Sequence, residues 1–266
     1  MLSFNVEREN TVKKQAILVI LSIFFLCNPI NGIIFKSDQL HDVLQYAEKD
    51  TFFVFDIDDT IAETPGNIGT DTWLYYETRE LEKKVSDINL AFKLMLPLYF
   101  LVRNYKKLEI IDHSDEIIAQ LQNQKIGIIA LTSQSIPMHE RTIKQLAELG
   151  IDFSLTAPFD KPLELVGTYK SIFKQGIIFS ASSNKGKMLI QFFEKTGFKP
   201  KKVFFADDKL KNVQVVEKEV EAAGIEFVGM LFTRREELDK QFDPQKAEAE
   251  LNELLSNIAL VPIGKS

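Results

Sequence analysis

The chain has 266 residues, of which 45% are apolar and 26% are charged, a composition typical of a globular protein with a buried core. Its formal net charge of −6 at pH 7 excludes a general electrostatic attraction to nucleic acid or to anionic membranes. The single cysteine, Cys27, excludes a framework of internal disulfides.

The N-terminus has the pattern of a secretory signal. Lys13 and Lys14 precede an apolar run over residues 16–27, and Asn28-Pro29 and Gly32 follow it. The run has about 12 residues, whereas a membrane-spanning helix needs about 20. We therefore predict a signal peptide over residues 1–32 and no stable membrane span after its cleavage, with an uncleaved anchor or a buried helix as the alternatives.

Removal of that segment would leave a mature chain of residues 33–266. The segment contains three basic and two acidic residues, so the net charge of the mature chain would be −7. A signal peptide implies export, and the sequence predicts a periplasmic or secreted protein.

The mature chain alternates between apolar runs and helical patterns. Compact apolar runs predict buried strands at residues 52–55, 127–131, 203–206 and 227–232, and a hairpin at residues 169–180. Helices are predicted at residues 114–121, 141–149, 187–196, 212–223 and 245–255, and three of them are followed by a glycine stop. This alternation predicts an α/β fold with a mostly parallel sheet that is covered by helices on both faces.

One segment interrupts this alternation. Residues 63–71 are rich in turn formers, and residues 73–105 are dominated by helix formers. The sequence therefore predicts a small helical insertion over residues 64–112, with Trp73 packed inside it.

Three predicted strands end in residues that can carry chemistry. These residues are Asp56, Asp58, Asp59 and Thr60 after the first strand, Thr132 and Ser133 after the second, and Asp207 and Asp208 after the third. In an open α/β sheet the ligand site lies at the carboxyl ends of the strands. One acidic turn alone is often only a solvated turn, but a second acidic pair on another strand end favours a functional site.

At this point the sequence resembles the haloacid dehalogenase (HAD) superfamily. Four motifs occur in the order typical of that superfamily: an apolar strand with Asp-x-Asp-x-Thr, a strand ending in Thr, a lysine near a helix start, and a strand ending in paired acids. They lie at residues 52–60, 128–132, 185–186 and 204–208. The resemblance covers about residues 51–235 and implies a HAD-like, Rossmann-type three-layer fold with a small helical cap inserted after the first strand. It points to an exported bacterial branch of the superfamily.

The acidic residues suit a magnesium site. Mg²⁺ prefers oxygen ligands and retains several waters, and it offsets the repulsion between a phosphate ester and a carboxylate. Asp56 and Asp207 can supply carboxylates, and the resemblance implies a backbone carbonyl from Asp58. Asp208 is predicted to steady the metal through water.

The same residues define a reaction. Asp56 would attack phosphorus and form an aspartyl-phosphate, and Asp58 would protonate the leaving oxygen and later activate water, for which it needs a raised pKa. Thr132 would hydrogen-bond the phosphoryl oxygens. Lys185 would neutralise the developing charge, with Lys187 as the alternative lysine. Asn212 is predicted to brace the metal loop.

These assignments predict a Mg²⁺-dependent phosphatase that hydrolyses a small phosphorylated substrate and has no nucleic-acid partner. A phosphotransferase with the same nucleophile is one alternative. A catalytically idle secreted protein that binds metal or phosphate is another. A dehalogenase is less consistent with the sequence, because Asp58 suits protonation of an oxygen leaving group.

Overall fold

The structure, a computed structural model, describes residues 32–259 and contains ten strands in that range. Eight form the central sheet in the order β1-β10-β9-β2-β5-β8-β7-β6, and β3 pairs with β4. The strands are β1 Ile33–Ser37, β2 Thr51–Phe55, β3 Ala62–Glu63, β4 Glu109–Ile110, β5 Ile128–Thr132, β6 Leu163–Val166, β7 Lys170–Lys174, β8 Ile177–Phe179, β9 Lys202–Asp207 and β10 Glu226–Phe232. In this order, each strand from β1 to β8 is parallel to its neighbour. The last two strands, β7 and β6, extend the sheet through antiparallel pairs.

Eight α-helices lie in the described part of the chain. Short 3₁₀ turns occur at Leu40–Tyr46, Ile136–Met138 and Phe153–Leu155. The helices are α1 Asp71–Val85, α2 Ile88–Tyr105, α3 Ser114–Asn123, α4 His139–Glu148, α5 Lys185–Thr196, α6 Leu210–Ala222, α7 Arg234–Asp239 and α8 Pro244–Ala259.

The sheet is the middle layer of three. Side chains of a strand point alternately to its two faces. On β2, Phe53 and Phe55 join one apolar cluster together with residues of α3 and α4, whereas Phe52 and Val54 join another with residues of α5 and α6. Both faces of β2 are therefore buried, as its continuous apolar sequence predicts, and the predicted three-layer α/β fold with a mostly parallel sheet is confirmed.

The predicted helical insertion contains α1 and α2, which lie between β3 and β4. The two helices separate at Ser86, whose φ of 57° is left-handed, and Asp87 then caps α2 by accepting hydrogen bonds from Asn89 N and Leu90 N. Trp73 is fully buried in a third apolar cluster, where α2 meets α8. The insertion is therefore a hairpin of two helices whose base packs on the C-terminal helix.

Some elements did not follow from the sequence. The edge strands β1 and β6 and the short helix α7 were not predicted, and β1 precedes the strand that we expected to be the first. Edge strands are half-exposed, so β1 and β6 lack the continuous apolar run that marks β2. The predicted hairpin at residues 169–180 corresponds to β7 and β8.

The predicted signal peptide lies almost wholly outside the described residues. Residues 32–259 contain no helix that is both long enough and apolar enough to cross a membrane.

Candidate metal and phosphate site

The register of the sheet brings two predicted aspartates to the same level. β2 and β9 are parallel neighbours, with Phe55 opposite Ala206. One residue further, Asp56 N donates to Ala206 O over 2.9 Å, and Asp207 is the last residue of β9. Asp56 and Asp207 therefore leave adjacent strands together at the carboxyl edge of the sheet.

Asp208 completes a group of three carboxylates. One carboxylate oxygen from each of Asp56, Asp207 and Asp208 lies within 4.8 Å of the other two. Asp56 and Asp207 are buried, and Asp208 Oδ1 is buried with no hydrogen-bond partner in the described part of the chain. A buried, unpaired carboxylate oxygen is costly unless a ligand satisfies it. An all-oxygen donor set with one unsatisfied member fits Mg²⁺.

Lys185 lies between two of these carboxylates. Its Nζ is 2.9 Å from Asp56 Oδ1 and 2.7 Å from Asp207 Oδ2, and the residue is only 2% exposed. The next residue, Gly186, allows α5 to pack closely against α6, because a Cβ at this position would lie 2.3 Å from the backbone oxygen of Val215 in α6. Lys187 is exposed, so the structure places the first of the two predicted lysines in the site.

Asp207 is held by groups that follow it in the chain. Its Oδ1 accepts hydrogen bonds from Lys209 N at 2.8 Å and from Asn212 Nδ2 at 2.9 Å. The Asn212 amide also reaches Asp207 Oδ2 at 3.1 Å. These contacts fix the orientation of the Asp207 carboxylate, and the predicted bracing of a metal loop by Asn212 stays a prediction.

Burial dominates the electrostatics of the cluster. Burial raises the pKa of Asp56 to about 8, although Lys185 opposes the rise, and the charges of Asp207 and Asp58 add to it. Burial likewise raises the pKa of Asp208 to about 9. The carboxylates of Asp207 and Asp56 outweigh the opposite effect of burial on Lys185 and raise the pKa of its ammonium to about 12. Without a bound cation Asp56 and Asp208 therefore retain their protons up to these pH values, a property that a divalent ion would reverse.

Asp58 lies in a tight turn beside the cluster and has partners of its own. The turn contains Asp59 at a φ of 60°. Asp58 Oδ1 accepts a hydrogen bond from Arg103, and Asp58 Oδ2 accepts one from Gln134 Nε2 at 2.8 Å. Arg103 belongs to α2 and is 4% exposed. The insertion and the segment after β5 therefore meet at Asp58.

This arrangement corrects one expectation from the sequence. We predicted a raised pKa for Asp58, as a proton donor needs. Burial does act to raise the pKa, but the charge and hydrogen bond of Arg103 and the hydrogen bond of Gln134 outweigh it, and the pKa lies below its usual value. Asp58 is therefore an ionised carboxylate in this conformation. The Asp58 carboxylate also lies outside the group formed by Asp56, Asp207 and Asp208. The resemblance implied a metal contact for Asp58 only through its backbone carbonyl.

Thr132 ends β5, the strand that neighbours β2 on the side opposite β9. It is fully buried, and its Oγ1 accepts a hydrogen bond from Gln134 N at 3.1 Å. Its backbone oxygen accepts bonds from Ser180 N and Ser180 Oγ, which join β5 to the segment after β8. The predicted residue thus lies at the carboxyl edge of the same sheet, with its hydroxyl proton available to donate.

Sequence reasoning did not identify Arg103 or Gln134. A charged residue within the apolar sequence of α2 could have marked Arg103 as a buried partner of an acid. Gln134 has no comparable signal, because a glutamine after a strand is common in loops.

Fold and site together define an α/β protein with a buried lysine and three carboxylates at the carboxyl edge of its sheet. A family model described as "Protein of unknown function (DUF2608)" matches residues 36–260, and the chain belongs to this family.

The chain is similar to chlamydial proteins along most of its length. A protein of Chlamydia muridarum is 24% identical over 229 residues, which cover 84% of each chain. One of Chlamydia pneumoniae is 18% identical over 270 residues, covering 93% of this chain and 94% of that protein. One of Chlamydia trachomatis is 22% identical over 200 residues, covering 74% and 72%. Each of the three bears the name "Putative outer membrane protein". No solved structure matches the chain.

The family result corrects the resemblance that we drew from the motifs. The assignment to the haloacid dehalogenase superfamily is wrong, because the family that matches the chain is DUF2608, and the similar proteins bear no haloacid dehalogenase name. Short motifs carry a false-positive risk, and an acidic turn after a strand is among the less specific of them. Any function must therefore be argued from the site itself.

Proposed function

We propose that the protein is a Mg²⁺-dependent phosphatase that hydrolyses a phosphate monoester through an aspartyl-phosphate on Asp56. The observation that carries this proposal is the position of the Lys185 ammonium, within 2.9 Å of both Asp56 and Asp207, beside the unpaired Oδ1 of Asp208. A buried fixed cation beside a group of acidic oxygens suits the transfer of an anionic phosphoryl group, which depends on positioning and charge stabilisation.

The carboxylates of Asp56, Asp207 and Asp208 would hold the ion, which would offset the repulsion between the ester and the nucleophile. Their donor set is entirely oxygen, as Mg²⁺ requires. Asn212 and the backbone N–H of Lys209 fix the orientation of Asp207. The groups of the site thus come from the ends of β2 and β9, from the start of α5 after β8, and from the start of α6 after β9.

Asp56 has one oxygen engaged and one available. Its Oδ1 accepts from Ile57 N at 2.8 Å and from Lys185 Nζ, whereas within residues 32–259 no group donates to its Oδ2. We assign Oδ2 as the attacking atom. Lys185 Nζ would stabilise the negative charge on the phosphoryl oxygens, and Thr132 Oγ1 would donate a hydrogen bond to one of them.

Asp58 would act on the second half of the reaction. Its ion pair with Arg103 favours the ionised carboxylate, which is the form that takes a proton from an attacking water. In the first half, Asp58 would have to release Arg103 and take up a proton before it could give that proton to the leaving oxygen. We therefore expect hydrolysis of the aspartyl-phosphate to depend on Asp58 more directly than its formation.

The proposal is tested with a screen of phosphate monoesters, in which release of inorganic phosphate is measured with Mg²⁺ and with EDTA. We expect turnover that EDTA abolishes and that Asp56→Asn reduces at least about 10³-fold, since the variant lacks the nucleophile. Asp160→Asn, at an exposed loop position, is the matched control and should retain full activity.

The other outcomes separate the alternatives. Equal turnover by the wild type and Asp56→Asn would refute Asp56 as the nucleophile. Mg²⁺ binding by calorimetry without turnover of any ester would favour an idle metal- or phosphate-binding protein. Transfer of the phosphoryl group to an added alcohol at the expense of free phosphate would favour a phosphotransferase.

We also propose that the protein is exported to the cell envelope or beyond it, in the periplasm or the medium. The predicted signal over residues 1–32 supports export, and so does the name "Putative outer membrane protein" that each of the three chlamydial relatives bears. N-terminal sequencing of protein from a cell fractionation tests this proposal. Intact Met1 on cytoplasmic protein would refute it.

A further inference from the structure

The free end of the helical hairpin has an unusual surface. We define the hairpin tip as residues 83–94, which comprise the end of α1, the connection at Ser86-Asp87 and the start of α2. Three large apolar side chains of the tip are exposed to solvent: Leu90 by 44%, Phe92 by 36% and Leu94 by 53%. Such side chains are individually common on surfaces, but here three lie within five residues.

The apolar surface continues along α2. Leu90, Leu94 and Pro97 are spaced as i, i+4 and i+7, so they lie on one face of the helix, and all three are exposed. A different face of α2 is buried through Ala91, Met95 and Val102. A helix that is apolar on both faces is normally covered on both. Its outer face therefore suits contact with an apolar phase.

Lysines surround the apolar side chains of the tip. Lys83, Lys84 and Lys93 give the tip three positive charges against the single negative charge of Asp87, although the whole chain has a net charge of −6. Lys83 is paired with Glu80, whereas Lys84 and Lys93 form no ion pair within 4.0 Å among residues 32–259. The Asp87 carboxylate is engaged in capping α2. The tip is thus locally basic on an acidic protein.

We propose that the hairpin tip docks onto the surface of an anionic lipid bilayer. Exposed Leu and Phe side chains flanked by lysines are the pattern of helices that lie in the membrane interface, where apolar groups enter the headgroup region and lysines contact anionic lipids. The tip is also small for a protein partner. A stable protein interface uses about 20–30 residues on each side, and the tip has 12.

The negative charge elsewhere does not prevent this contact. Charges are screened beyond about 10 Å at 0.1 M salt. At 1.5 Å per residue, Leu90 lies about 20 Å along α2 from Arg103, which contacts Asp58. Docking by the tip would therefore leave the carboxylate site uncovered.

The test uses the full chain with a reporter at the tip. In Leu94→Trp, a vesicle of phosphatidylglycerol and phosphatidylcholine with brominated acyl chains should quench roughly half of the added tryptophan emission, because the tip would enter the headgroup region by about 5–10 Å. Trp73 is fully buried and contributes a constant background. Tyr169→Trp, at an exposed position of the same protein, is the matched control and should not be quenched.

The reporter is local, so vesicle binding by the N-terminal apolar run does not produce the signal at position 94. Adding Lys84→Gln and Lys93→Gln should lower the partition coefficient on anionic vesicles about fivefold for each lysine and roughly 30-fold together. Pure phosphatidylcholine vesicles should show little difference between these proteins.

Three results would overturn the proposal. The first is an unquenched Leu94→Trp on anionic vesicles, and the second is quenching that is insensitive to the two lysines. The third is a dimer in light scattering whose formation Leu94→Glu abolishes, without quenching by lipid, which would assign the tip to contact between two copies of the chain. Circular dichroism of each variant establishes that the loss is not one of folding.

Discussion

The carboxylate site and the helical hairpin are held in different ways. Asp56 and Asp207 lie at the ends of strands of the central sheet, Lys185 lies at the start of α5, and all three are nearly completely buried. Their charges are satisfied mostly by each other. The hairpin is secured at its base by an apolar cluster and by Arg103, while its tip is exposed. Burial makes the site rigid and electrostatically sensitive, whereas the hairpin should tolerate change everywhere except at its base.

The largest effect should come from removing the lysine of the site. Lys185→Met leaves the two buried acids, Asp56 and Asp207, without the cation that lies between them, and we expect a loss of about 3–5 kcal/mol in the free energy of unfolding. Urea denaturation measures it, and Mg²⁺ should restore part of the loss by occupying the same cluster. Lys187→Met, two residues away and exposed, is the matched control and should change stability by less than about 0.5 kcal/mol. Equal stabilities of the two variants would contradict the electrostatic account of the site.

The next effect concerns Mg²⁺ and pH. Burial raises the pKa values of Asp56 and Asp208 to about 8 and about 9 in the folded protein, whereas in the unfolded chain both acids ionise at about pH 4. The metal-free protein should therefore lose stability as pH rises from about 4 towards the raised values. Mg²⁺ must displace protons below this range, and its affinity should therefore increase from pH 6 to pH 9.

Thermal unfolding with and without Mg²⁺ at several pH values measures this effect. At a fixed concentration of about 100 times its Kd at pH 9, Mg²⁺ should add roughly 2.7 kcal/mol of stability at that pH. At pH 6 the same concentration lies closer to the Kd, so the increase in Tm should be smaller. Ca²⁺ provides a comparison for ionic selectivity, because its larger and more flexible coordination differs from that of Mg²⁺. A Tm increment that is independent of pH would show that the ion binds elsewhere.

A smaller effect should follow from breaking the link between the two regions. Arg103→Met removes the partner of Asp58, but Asp58 is 30% exposed at its side chain and can be solvated, so we expect a loss of about 1–3 kcal/mol, below that of Lys185→Met. The variant should also raise the pKa of Asp58, which titration by NMR measures. Arg79→Met, whose guanidinium pairs with Glu82 on the solvent face of α1, should be nearly neutral. A greater loss in Arg103→Met than in Lys185→Met would reverse the comparison.

Much of the central sheet follows from local patterns in the amino-acid sequence. The continuous apolar run before Asp56 predicted a strand buried on both faces, and the acids after it and at Asp207 were placed on one edge by the general geometry of parallel sheets. The preference for Lys185 over Lys187 came from the Lys-Gly pattern of the resemblance, and the structure places the Lys185 ammonium beside Asp56 and Asp207. The inferences about the sheet succeeded because periodicity and strand polarity are local properties of the chain.

The ionisation state of Asp58 depends on a contact between parts of the chain that are distant in sequence. Its partner Arg103 lies 45 residues away on a helix of the insertion, and no local pattern specifies which acid a buried guanidinium will meet. That contact reversed the expected direction of the pKa, because a neighbouring charge outweighed burial. The same applies to the position of Lys185 between two acids from different strands. Pairing of charges distant in sequence is set by how the layers pack, and in this protein that packing establishes the site.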